Sequence, residues 1–88
     1  MPMISKFGGI AIHLYYNDHD PHHFHVMYSG FMTRIEIMTG EYVRGDEALP
    51  SSKEKDVMKW LQLYKDDMMN AWDACRRKMT PCRIPPLY

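Results

Sequence analysis

The run His22-His23-Phe24-His25-Val26-Met27-Tyr28-Ser29-Gly30-Phe31-Met32-Thr33-Arg34-Ile35-Glu36-Ile37-Met38 decides the fold. Ser29-Gly30 sits between two apolar-rich runs as a two-residue hairpin turn. Residues 22–28 form one strand, with Phe24, Val26 and Tyr28 on one face. Residues 31–38 form the next, with Phe31, Ile35 and Ile37 in phase. The tight turn sets the register: Tyr28 faces Phe31, His25 faces Arg34 and His23 faces Glu36.

Working outward, residues 9–16 read as a preceding strand, Ile10, Ile12 and Leu14 alternating with Ala11, His13 and Tyr15. The turn formers Asn17-Asp18-His19-Asp20-Pro21 make a loop that lets this strand fold back. If Tyr16 faces His22, then Tyr15 pairs with His23 and His13 with His25. Thr39-Gly40 turns the chain into a short edge strand at 41–44. Ser51 and Glu54 make a capping-box pattern, placing a helix over about residues 52–78. Along it Val57, Trp60, Leu61, Tyr64, Met68, Ala71, Trp72, Cys75 and Met79 recur at steps of three and four. Pro81 ends the helix, and residues 80–88 form an extended, apolar tail. The predicted fold is α+β: a three- to four-stranded antiparallel meander packed on one long C-terminal helix. A helix of that length spans about 39 Å and a seven-residue strand only about 25 Å. The helix is therefore expected to overhang the sheet near Met68 and Trp72, covered by the tail or by a second chain.

Length and composition fit one domain: 88 residues, 45% hydrophobic and 25% charged. No apolar run reaches the roughly 20 residues of a membrane helix, and no signal segment opens the chain. A cytoplasmic protein with no membrane association is expected. Two cysteines give no disulfide framework. Eleven basic residues balance eleven acidic ones, so non-specific DNA binding is not expected, while a local RNA-facing patch remains open. The nine methionines read mostly as packing.

The two hairpin registers agree about faces. Phe24, Val26, Ile12, Leu14 and Ile35 turn to the helix, and His13, Tyr15, His23, His25, Arg34 and Glu36 gather on the other side. Three readings of that second face stand side by side. The plainest is a solvated polar sheet face. A sharper one is a metal-independent ribonuclease, with Glu36 as base, His23 or His25 as acid, Arg34 as phosphate clamp and Tyr15 as supporting donor. The third is a metal site on His13, His19, His23 and His25, with adventitious nickel or zinc affinity. Its spacing matches no standard zinc motif.

In order and spacing, Ile4, Phe7, Gly9-Ile10, Tyr15, Asp18-His19, Pro21, His23-Phe24-His25, Tyr28 and Gly30 form a pattern that continues through Thr39-Gly40, Leu49-Pro50, Trp60 and Trp72. It resembles a family of short bacterial proteins of unknown function whose hallmark is Asp-His-x-Pro-Pro-His-Phe-His. The resemblance marks Asp18, His19, Pro21, His23, Phe24 and His25 as motif positions without giving their roles. It departs at His22, where the motif has a second proline. His13 stands where a varied, often basic residue is expected, so a metal site using it would be peculiar to this chain. The resemblance implies a second small protein encoded alongside, as in a toxin–antitoxin-like pair. With it comes the leading functional expectation: a small interaction module working with a protein partner or a second copy, its apolar contact surface formed by the overhanging helix and the tail.

Overall fold

In a computed structural model, which describes residues 3–16 and 21–88, the sheet has four strands in the order of the chain. They are β1 (Met3–Phe7), β2 (Ile10–His13), β3 (His23–Tyr28) and β4 (Phe31–Glu36). Every neighbouring pair is antiparallel, and α1 (Ser51–Arg76) follows. The fold is α+β, a meander with one C-terminal helix. Among the described residues no helix is long and apolar enough to cross a membrane.

The β3–β4 hairpin turns on Ser29 and Gly30, with φ of 48° and 85°. Two successive left-handed residues match the twist of the flanking strands. Tyr28 then pairs with Phe31, His25 with Arg34 and His23 with Glu36. Across β2, His13 pairs with His25 and Ile12 with Val26. The inner face carries Ile10, Ile12, Phe24, Val26 and Ile35, all fully buried. They meet Val57, Trp60, Leu61, Met68 and Trp72 of the helix in one core. Trp60 is its hub, its ring 5.9 Å from that of Phe7 and 6.0 Å from that of Phe24.

Several elements differ from the sequence expectation. The fourth strand is Met3–Phe7, and Tyr42 makes only an isolated bridge to Ile35 where an edge strand was expected at 41–44. Gly40 and Gly45, at φ of 75° and 90°, bend the chain away on either side of that bridge. Ladder pairing of the preceding strand stops at His13, short of Tyr15. The helix has no side-chain cap: Pro50 occupies the N-cap position, its carbonyl accepting from Glu54 N–H at 2.9 Å. The expected capping box does not form, because Ser51 already lies in the helix and the Glu54 carboxylate accepts from the Tyr42 hydroxyl at 2.7 Å.

The helix does not run straight. Tyr64 leaves helical geometry at φ −122° and ψ 24°. A straight helix of this length, about 39 Å, would exceed the molecule's longest dimension of 34 Å. The bend keeps Met68 and Trp72 over the core, and both are fully buried. The tail returns in cis. Ile84 N–H donates to the Ile4 carbonyl at the β1 edge, and Trp60 Nε1–H donates to the Pro85 carbonyl, each at 2.9 Å.

Candidate functional site on the outer sheet face

Side-chain alternation along β3 sends His23 and His25 to the face away from the helix. They are nevertheless only 3% and 7% exposed. Other rings account for this burial. Tyr15 stacks on His25 with centroids 4.0 Å apart and planes 21° from parallel. His25 and His23 lie 5.2 Å apart. Trp72 follows, 5.3 Å from His23, with His22 stacked against it at 4.9 Å. His22 and His23 both reach Trp72, which places that indole at the starting end of β3. Five rings thus run continuously from the outer face around the end of the strand.

The His23 Nδ1 lies 2.7 Å from the Pro21 carbonyl oxygen. A carbonyl only accepts, so Nδ1 is the donor of this hydrogen bond. His13, opposite His25 in the ladder, is held below the ordinary histidine pKa range, chiefly by burial. Its Nδ1 is buried with no hydrogen-bond partner among the described residues.

Arg34 stands across the ladder from His25, and its guanidinium faces Asp46. Nε donates to Oδ2 at 2.8 Å, Nη2 to Oδ1 at 3.0 Å, and the Arg34 backbone N–H to Oδ2 at 2.9 Å. This bidentate fork holds the Asp46 carboxyl below its usual range, with a smaller contribution from His25. Arg34 therefore spends its planar donor face on a loop carboxylate. Glu36 is half-buried opposite His23.

Of the residues singled out from sequence, the structure brings Tyr15, His23 and His25 into ring contact and sets His13, Arg34 and Glu36 beside them in the ladder. Phe24, a motif position, belongs to the core against Trp60. Pro21 contributes its carbonyl. Asp18 and His19 lie outside the described residues. Among the described residues no group of three or more His, Cys, Asp or Glu side chains is placed to hold a metal ion.

Two further residues belong to this face. Met27 and Met32 are direct ladder partners, 39% and 46% exposed. The Tyr15 hydroxyl lies 3.7 Å from the Met32 sulfur. The same alternation that put His25 and Arg34 outward gives Met27 and Met32 that orientation, two residues nearer the turn. The outer face thus reads as exposed thioethers beside a stacked phenol and imidazole, with the Arg34–Asp46 pair at its rim.

A family model described as a domain of unknown function, DUF4160, matches residues 9–73. That is well over half of the 88 residues. The chain belongs to the DUF4160 family. The DUF4160 match covers the whole ring series from Tyr15 to Trp72 together with Met27 and Met32. Strand β1 and the C-terminal tail lie outside it. No curated protein and no solved structure matches the chain.

Proposed function

We propose that this DUF4160 domain is a small interaction module whose outer sheet face docks a separately encoded protein partner. The observation that carries the reading is the Met27–Met32 pair, exposed side by side where a sheet face is ordinarily polar. Thioethers are polarisable and adapt to irregular surfaces, a property suited to recognition. The neighbouring Tyr15–His25 stack supplies a flat, semi-rigid platform with a polar edge. Both sheet edges already have backbone partners in the chain itself, the tail at Ile4 and Val43 at Arg34. Docking therefore uses side chains of the face rather than strand addition.

The proposed setting is the bacterial cytoplasm, with the partner encoded in a neighbouring gene as a toxin–antitoxin-like pair. A ribonuclease on the same face would need Arg34 and the histidines to reach a phosphate. The Arg34 fork is engaged by Asp46, and both imidazoles are buried, so the observations weigh toward docking. The test is to express the chain in bacteria alone and with its gene neighbour, following growth and co-purification. A stoichiometric complex that the double variant Met27→Asp/Met32→Asp no longer forms supports the module. Growth arrest and RNA cleavage by the chain alone, both abolished by His23→Ala/His25→Ala in a folded protein, would replace it with the ribonuclease.

A further inference from the structure

The helix stops on an unusual residue. Lys78 N–H donates to the Cys75 carbonyl at 3.0 Å and Met79 N–H to the Ala74 carbonyl at 2.8 Å. This is the bond pair of a Schellman stop, whose penultimate donor must adopt left-handed backbone, a position that favours glycine. Here it is Lys78, at φ +59°. A side chain in that region crowds its Cβ against the carbonyl, so the junction between helix and tail is both short and strained.

Beyond the junction the tail is an arm with its own set of docking contacts. Ile84 bonds to the β1 edge, Pro85 accepts from Trp60, and the Tyr88 hydroxyl donates to Asp56 at 3.2 Å. The Tyr88 ring meets Phe7 edge-on at 5.8 Å, and Pro81 and Ile84 are buried. None of these contacts involves the junction, so an identical arm arriving from a second chain makes them equally well. The arm also packs incompletely near its root. An open cleft of about 440 Å³ separates it from the last turns of the helix, lined by Ala71, Ala74, Pro81 and Cys82.

We infer that two copies of this chain exchange residues 79–88, each arm seated in the other's groove between β1 and the helix, with Lys78 relaxed out of the left-handed region. The closed and exchanged forms share their docking contacts and differ at the junction, and strain at a short hinge favours the exchanged one. The groove takes this occupant because the chain's own arm shows what fits it. The exchange is independent of the outer sheet face.

Light scattering coupled to size exclusion tests this on the full chain, from micromolar to millimolar concentration. A dimer that grows with concentration is expected. Lys78→Gly relieves the closed form at both junctions and weakens the dimer about thirtyfold or more. Lys78→Val, more crowded at positive φ, strengthens it. Ile84→Asp abolishes it, whereas Met27→Asp leaves it intact. A monomer throughout, Lys78→Val included, overturns the inference. So does a dimer indifferent to Lys78, or one lost in Met27→Asp. If Ile84→Asp fails to fold, the two Lys78 variants at an exposed position decide alone.

Discussion

The Tyr15 ring lies flat on the His25 imidazole, 4.0 Å from centroid to centroid. Tyr15 is beyond the last ladder pair of β2, so packing rather than strand pairing holds it there. Tyr15→Ala removes the cover from His25 and costs about 1–3 kcal/mol, from lost aromatic contact and apolar burial. Tyr15→Phe keeps the stack and gives up only the contact to the Met32 sulfur, with a change under about 0.5 kcal/mol. Urea denaturation of the two variants checks the difference.

Burial places the His13 pKa below that of the unfolded chain. A depressed histidine favours the folded state above its unfolded value, near 6.5, and this contribution is lost as pH falls through the folded value. Thermal unfolding midpoints are expected to drop between pH 7 and pH 5. His13→Gln, which cannot charge, shows a smaller drop in the same scan. An equal drop in both proteins would assign the acid sensitivity to other groups.

The Tyr42 hydroxyl donates to Glu54 and accepts from Leu49 N–H at 3.0 Å, tying the loop after β4 to the first turn of the helix. Burial and the Glu54 carboxylate raise the phenol from 10 to about 12. The raised pKa adds stability that is complete below pH 10 and lost as pH rises through about 12. Tyr42→Phe strands two partners and costs about 1–3 kcal/mol at neutral pH. Alkaline unfolding followed by circular dichroism reports the lost pH dependence.

Gly8 turns β1 into β2 at φ +56°, and the space a Cβ would need is filled by the Tyr88 hydroxyl. Gly8→Ala meets both the backbone strain and the ring. The end of the tail is expected to leave its seat, at a cost of about 1–2 kcal/mol. Carboxypeptidase should release Tyr88 faster from the variant than from the parent chain. Unchanged release would mean that Tyr88 moves aside without cost.

The β3–β4 register was legible because Ser29-Gly30 admits one short turn, and side-chain alternation then carried the faces outward to His13. Strand β1 was not, because an irregularity between Met3 and Ser5 breaks the alternation. Ile4 and Ser5 are both buried, so no period of two survives in the residues themselves. The capping box misled because the same Ser51 and Glu54 spacing served a helix already begun after Pro50. The bend at Tyr64 coincides with no proline or glycine, so no local breaker announced it. At the site, His23 and His25 could be placed from pattern alone. Their burial could not, since it depends on Tyr15 and on Trp72, some fifty residues away in sequence. Asp46 escaped for a similar reason: no local pattern ties a loop carboxylate to the Arg34 fork.

On the proposed reading the partner docks on the outer sheet face and not on the helix. The most direct test is the affinity of the gene-neighbour protein for three forms of the chain, measured by titration calorimetry. Leu63→Asp serves as the control, because Leu63 is an exposed apolar residue on the helix. A loss of a hundredfold or more in Met27→Asp/Met32→Asp, with Leu63→Asp within about twofold of the parent, is the predicted result and is of the size expected for a central contact. Binding that survives the methionine changes and disappears with Leu63→Asp would move the docking surface to the helix.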